Sequence, residues 1–240
     1  MDLIGQAAAF LADARRVERR GPRMAEELRP ADNESALAIQ SRVTHMLGWP
    51  VGGWKASVPS KGRILMAPIY ARDLHSGPEC PIVPLKGMAP IEPEIAFVMA
   101  RDLQPGVSDE EVVAAIGETR LVLELIGSRF AEPDELSYPE KLADCLNNQA
   151  LLVGPLCGRP IGDWMSAFPI SIPGVFERQG KHPDGHPLAP LKWLAGQVPL
   201  HAGQIVTTGS FAGVIQAPLG TPLRVIFGDA GEIGVTFTPR

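Results

Sequence analysis

Ile91-Glu92-Pro93-Glu94-Ile95-Ala96-Phe97-Val98-Met99 places two carboxylates two residues apart inside an otherwise apolar, strand-like run. Side chains alternate faces along a strand, so Glu92 and Glu94 point the same way, with stems about 7 Å apart. Two like charges so placed call for a cation between them. Carboxylate oxygens are hard ligands suited to Mg²⁺, Mn²⁺ or Ca²⁺, and such ions keep positions open for water and substrate. Taken alone, the pair also fits an edge strand with a solvated acidic face, which Pro93 favours because proline is tolerated on edges.

A third acid, Glu124, favours the metal reading. It is the only charge in the hydrophobic run Leu121-Val122-Leu123-Glu124-Leu125-Ile126. Upstream, Ser108 with Glu111 three residues later has the pattern of a capping box, which predicts a helix start that hands over to the Glu124 strand. A lone glutamate in such a strand is costly to bury unless it is paired, hydrogen-bonded or bound to metal.

Around these runs the chain is helical first and sheet-rich after. Leu3, Ala7, Leu11, Ala14 and Val17 recur at helical spacing until Gly21-Pro22. Ala36, Ile39, Gln40, Val43 and Leu47 repeat the pattern after an Asp32 cap. From Val51 onward short apolar runs are punctuated by Pro and Gly, of which the chain has 24 and 25. That is the texture of strands joined by turns. With 240 residues, 45% of them hydrophobic, one catalytic domain over 1–240 is expected, residues 1–50 forming a helical subregion packed on it. No repeat or low-complexity linker divides the chain.

Segments through most of the chain resemble the fumarylacetoacetate hydrolase superfamily, in its branch of 2-keto-4-pentenoate hydratases and 4-oxalocrotonate decarboxylases. They are ALAIQSRV (36–43), GGWKAS (52–57), IEPEIAFVMARDL (91–103), LVLELIGSRF (121–130), LADCLNNQALLVG (142–154), HPLAPLKWLA (186–195) and AGQIVTTGSFAGV (202–214), in that family's order. The resemblance implies an α+β fold, with a mixed sheet rolled into a sandwich or barrel around the metal site, and assembly as a homo-oligomer. It implies Mg²⁺ or Mn²⁺ on Glu92, Glu94 and Glu124, and Lys55 in the active site. It further implies that the Thr208, Gly209 and Ser210 loop closes around the substrate's carboxylate end. Asp144 is the retained member of a family Ala-Asp-Asn triplet and an expected substrate contact.

Read from the residues alone, these positions are more open. Lys55 lies between Val51 and Val58, where desolvation would lower a lysine pKa and suit it to proton transfer; a surface lysine is the alternative. Thr207-Thr208-Gly209-Ser210 is a strand-to-loop transition that offers hydroxyls and amides to an anion, or a plain turn. Three departures from the family pattern read as altered specificity. The loop Ala56–Gly62 is shortened, Cys145 replaces the amide after Asp144, and the Trp193–Gly203 segment is trimmed.

The implied activity is a divalent-metal-dependent lyase of aromatic-compound catabolism. It would hydrate 2-hydroxypenta-2,4-dienoate (2-keto-4-pentenoate) or a close relative to a 4-hydroxy-2-oxo acid. Loss of CO₂ from a vinylogous 2-oxo diacid gives the same enolate, so a 4-oxalocrotonate-type decarboxylase is the nearest alternative. An acylpyruvate hydrolase would need a His/Glu pair, for which only His75 and Glu79 offer themselves. A catalytically silent paralogue, partnering an active decarboxylase or hydratase, is the reading from another class.

A net charge of −5 with no basic stripe argues against nucleic acid. Arg15-Arg16-Val17-Glu18-Arg19-Arg20 reads as a solvated helix face whose cations suit the C-terminal end of the macrodipole. No apolar run approaches the roughly 20 residues a bilayer needs, and the acidic, polar start carries no leader pattern, so no membrane and a cytoplasmic location are expected. Cys80, Cys145 and Cys157 are expected as free thiols. His182 and His186, amid Pro and Gly, are expected in a loop and not as ligands.

Overall fold

The computed structural model describes residues 2–160 and 167–240. The first helix, α1 (Leu3–Val17), starts where Asp2 accepts the amide of Gly5 at 2.7 Å. The second, α2 (Asn33–Leu47), starts at an Asp32–Ser35 capping box and ends at Gly48, whose φ of 63° is left-handed. Ala7, Ala8 and Leu11 of α1 meet Ala36, Ile39 and Val43 of α2 in an apolar cluster that takes in Tyr70, Phe130 and Leu142.

Strands β1 (Val51–Ser60), β2 (Arg63–Tyr70), β3 (Leu74–His75), β4 (Glu79–Ile82) and β5 (Met88–Met99) follow. Then come α3 (Asp109–Ala114), β6 (Ile116–Ile126), α4 (Tyr138–Ala143) and β7 (Asn148–Leu156). The remainder comprises β8 (Phe168–Ile172), β9 (Phe176–Gly180), α5 (Leu188–Ala195), β10 (Ile205–Thr207), β11 (Ile215–Pro218), β12 (Leu223–Phe227) and β13 (Glu232–Pro239). They form an eight-stranded sheet in the order β2-β1-β10-β5-β6-β7-β3, with β11 also on β5, and a five-stranded sheet in the order β4-β13-β12-β8-β9. Both sheets are mixed: β1 runs parallel to β10, β3 to β7 and β4 to β13, whereas β5, β6 and β7 are antiparallel neighbours. This is the expected α+β class: two long helices first, then two packed sheets with α3, α4 and α5 between their strands.

The period-2 pattern places the site. Ile91, Ile95, Phe97, Leu121, Leu123 and Leu125 share one core with Ile170, Val225, Phe227, Ile233, Val235 and Phe237 of the smaller sheet. The alternate residues of β5 and β6, which include all three glutamates, therefore face the other way. On that face Ile69, Ala96, Val122, Leu151 and Ile205 make a second, small apolar cluster.

β5 is central, which corrects the edge-strand alternative. It pairs with β6 on one side; on the other, β10 covers Ala96–Val98 and β11 covers Met88–Ile91. Pro93 falls in the gap between those two partners. Its carbonyl accepts the amide of Phe211 at 3.1 Å on that side. The N–H that proline lacks would point the same way, so no bond to β6 is lost.

α4 is held from outside its own turn. Arg23 donates to both carboxylate oxygens of Glu140, at 2.8 and 2.6 Å, and Glu140 completes a capping box with Ser137. Burial opposes ionisation of Glu140, but Arg23 and Ser137 outweigh it and hold the carboxyl at about 2. Its folded value lies below the ordinary glutamate value, so the contact stabilises fully at neutral pH and is lost as pH falls toward about 2. Glu140→Gln is expected to cost about 1.5–3 kcal/mol at pH 7. Urea denaturation at several pH values checks it: the gap from the parent should close in acid, and a gap independent of pH would refute the assignment.

Candidate active site

Glu92 and Glu124 stand directly opposite each other across the β5–β6 pair, and Glu94 lies on the same face. A carboxylate oxygen from each lies within 4.8 Å of those of the other two. Glu94 and Glu124 are 2% and 0% exposed, Glu92 half-buried. Burial, followed by the charge of Glu124, pushes the Glu92 and Glu94 carboxyls well above the usual glutamate range.

Lys55 reaches the cluster because β1 is tied to β5 through β10: Lys55 is in register with Thr207, and Thr207 with Ala96. Its Nζ lies 2.6 Å from Glu124 Oε1 and 3.3 Å from the carbonyl of Leu146. The expectation of a depressed pKa is corrected here. Burial does pull the ammonium down, but Glu124, Glu92 and Glu94 outweigh it, and the pKa stands above the ordinary lysine value. Lys55 is a buried ammonium at neutral pH.

The remaining donors are local. Asn148, the first residue of β7, gives its amide to Glu124 Oε1 at 2.8 Å. The Thr207 hydroxyl and the Gly209 amide both donate to Glu94 Oε2, the latter at 2.9 Å. Glu124 Oε2 is buried and has no hydrogen-bond partner among the described residues. A buried carboxylate oxygen without a partner is uncommon and costly. Three hard oxygen donors, one of them unsatisfied, fit a divalent cation.

The loop after β10 behaves differently from its sequence reading. Thr208 donates its hydroxyl to Ile95 O at 3.1 Å, and Ser210 lies 3.3 Å from Pro93 O and accepts the Gly213 amide. Both hydroxyls thus pin the loop to β5 in the gap between β10 and β11, and what enters the site is the backbone amide of Gly209. Gly209 has φ 114°, and a Cβ there would lie 3.2 Å from Pro183. His182, buried at 2% exposure, closes the loop from the other side. Its Nε2 is 2.9 Å from Thr208 O, its Nδ1 accepts the Asp184 amide, and burial lowers its pKa to about 4, leaving the ring neutral. Asp184 in turn accepts the Ser57 hydroxyl and the Val58 amide, which belong to the second half of β1, so most of the expected loop Ala56–Gly62 is strand held from outside the sheet. His182 and Asp184 do lie in a turn, as their Pro and Gly neighbours suggest, but their bracing of the site depends on partners distant in sequence and leaves no local pattern.

Asp144, expected as a substrate contact, is 0% exposed and its carboxylate is already occupied. It accepts the Ser128 hydroxyl at 3.0 Å and the amide and Nε of Arg129 at 2.9 and 2.5 Å. Arg129 also donates to Asn148 O at 2.7 Å, so Asp144 is linked to the glutamates indirectly, through Arg129 and Asn148. Asp144→Ala is expected to destabilise the fold by about 3–5 kcal/mol, because it strands a buried guanidinium. A loss below about 1 kcal/mol in urea denaturation would contradict that role.

Immediately after it, Cys145, Leu146 and Asn147 are successively left-handed, with φ of 53°, 54° and 61°. Residues with side chains rarely do this, and each adds strain. The turn aims Leu146 O at Lys55 and lets Asn147 O accept the Gly127 amide at 2.6 Å. Only Asn147 hinted at it in sequence. His75 and Glu79 are not brought to the glutamates: His75 Nε2 lies 2.8 Å from Arg240, and Glu79 is exposed in the other sheet. Cys80, Cys145 and Cys157 are free thiols, the first two buried.

No family model matches the chain. It is 33% identical over 236 aligned positions to a 2-oxo-hept-4-ene-1,7-dioate hydratase of Escherichia coli, covering 85% of this chain and 86% of that one. It is 25% identical over 264 positions to a 2-hydroxyhexa-2,4-dienoate hydratase of Comamonas testosteroni, covering 95% and 100%. Its fold matches that of a 4-oxalocrotonate decarboxylase from Pseudomonas putida, solved with magnesium and adipate. There the TM-score is 0.78 at 17% identity, with 98% of this chain and 97% of that one covered. The chain belongs to the fumarylacetoacetate hydrolase superfamily, in its hydratase and decarboxylase branch. Within that branch it is an enzyme of the hydro-lyase type. No helix among the described residues is long and apolar enough to cross a membrane.

Proposed function

We propose that this enzyme is a divalent-metal-dependent hydratase that adds water to 2-hydroxypenta-2,4-dienoate, or a close relative, to give a 4-hydroxy-2-oxo acid. The observation that carries the reading is the buried trio Glu92, Glu94 and Glu124, with Glu124 Oε2 unsatisfied beside the Lys55 ammonium. The three carboxylates would hold Mg²⁺ or Mn²⁺. Such an ion, when bound, supplies Lewis acidity toward a substrate carboxylate and 2-oxygen.

The protein's own groups do the rest. Lys55 and Asn148 fix one oxygen of Glu124, and Thr207 and Gly209 fix one oxygen of Glu94, so the acids are oriented before substrate arrives. The Ile69, Ala96, Val122, Leu151 and Ile205 cluster makes the floor apolar and strengthens these contacts. In the reaction the 2-hydroxyl proton leaves and a proton arrives at carbon 5; water then gives its oxygen to carbon 4 and a proton to carbon 3. Lys55 is the proton carrier within reach of the acids. The decarboxylase likeness is one of fold, whereas the relative at 33% identity is a hydratase, which favours hydration.

The test is turnover of 2-hydroxypenta-2,4-dienoate, 4-oxalocrotonate and an acylpyruvate by protein stripped with EDTA and reloaded with Mg²⁺ or Mn²⁺. Hydration of the dienoate that disappears in chelator and returns with either ion is expected. Full activity in chelator would reject the metal, and turnover of 4-oxalocrotonate alone would reject the hydratase.

A further inference from the structure

The run Arg15-Arg16-Val17-Glu18-Arg19-Arg20 is not the solvated face its sequence suggests. Arg16 and Arg19 are exposed, but Arg15 turns inward to 7% exposure and Arg20 is half-buried. Both line a cleft with about 490 Å³ of empty space, its open mouth included, between the end of α1, Trp49, Asp73 and the Gly127-Ser128-Arg129 segment that follows β6.

Five arginines line this cleft (Arg15, Arg19, Arg20, Arg129 and Arg240) against two acids, Glu18 and Asp73. Glu18 is engaged by Arg72 and Arg240 at 3.1 and 3.3 Å, and Asp73 has Arg72 at 3.9 Å. Asp144, behind the wall, is spent on Arg129 and comes no nearer to Arg15 than 4.0 Å. What is left over is specific: Arg15 Nη2 and Arg20 Nε are buried and have no hydrogen-bond acceptor among the described residues. Guanidinium donors desolvated without an acceptor are disfavoured, and a carboxylate or phosphate oxygen is the partner their geometry suits. The glutamates and Lys55 do not line this cleft.

We propose that the cleft is a second binding site, taking an anionic carboxylate or phosphate group held by Arg15 and Arg20 in the field of Arg19, Arg129 and Arg240. The carboxylate can be that of a free metabolite or that of a side chain on a second copy of this chain. The site stands whether or not the hydratase reading does.

Inorganic phosphate and succinate are titrated into the whole protein by calorimetry and thermal shift. EDTA is present, so that no dication can carry either anion to the glutamates, and chloride holds the ionic strength constant. Saturable binding and a rise in Tm with ligand concentration are expected. Arg20→Gln should weaken binding at least tenfold, Arg15→Met should abolish it, and Glu94→Gln should bind as the parent does. If Arg15→Met does not fold, Arg20→Gln decides alone. Absence of anion binding, together with a smaller sedimenting species for Arg20→Gln, supports the site and assigns its carboxylate to a neighbouring copy. Absence of binding with unchanged sedimentation overturns the proposal, as does binding that Arg20→Gln leaves intact.

Discussion

Glu94→Gln is expected to lower kcat/KM by about 10³-fold while leaving the metal-free protein at least as stable as the parent. The amide oxygen of glutamine can still accept from the Thr207 hydroxyl and the Gly209 amide, so the loop after β10 keeps its anchor. What disappears is an acid whose ionised form sets a buried negative charge against two neighbouring acids. Without a cation that charge is a cost, and the neutral side chain removes it. With a cation it is a ligand and an electrostatic support whose loss falls on the reaction, at the upper end of the 10²–10³-fold range for one preorganised group. Activity assays with Mg²⁺, Mg²⁺ titration by calorimetry and thermal melts in EDTA separate the two effects. A variant that melts much lower in EDTA yet keeps its activity would show Glu94 to be a structural anchor and no ligand.

Lys55→Met is expected to lower kcat by about 10²-fold or more, the scale of a proton-transfer group, with Mg²⁺ affinity kept or improved. The improvement has a simple origin: the ammonium 2.6 Å from Glu124 competes with any cation for the same acid. Methionine keeps the apolar stem in place and removes only the charge. Lys55→Arg should not restore the rate, because a planar guanidinium has a different shape and does not give up its proton. A near-normal kcat with a raised KM would make Lys55 a binding contact.

Features that depend on neighbours in sequence were legible in it. The alternation that sets Glu92 and Glu94 on one face, the cost of a lone Glu124 in an apolar run, and the Asp32 and Ser108 caps all come from local spacing, and the structure has each of them. What escaped depends on partners far along the chain. Pro93 suggested an edge because a split between β10 and β11 around one residue leaves no mark on β5 itself. Desolvation does lower the Lys55 pKa, as its apolar neighbours suggest, but the three acids that reverse the sign arrive on β5 and β6. Arg15, Arg129 and Asp144 looked unrelated until α1 and the segment after β6 were packed together. The left-handed turn at Cys145–Asn147 has no glycine to announce it.

The parallel pairing of β1 with β10 bears on how the enzyme comes into being. Gln204 donates to the carbonyl of Val51 across 153 residues, and the same seam brings Lys55 beside Thr207. The ammonium and the acids it faces all lie within residues 55–124, but β10 at Ile205–Thr207 is the strand that ties β1 to β5, so a fragment ending before it lacks the seam that sets them face to face. Such long loops close late and slowly. During refolding, β5 and β6 should therefore form first as a hairpin of unneutralised carboxylates, and the native, cation-ready constellation should appear only in the last kinetic phase, together with catalytic activity.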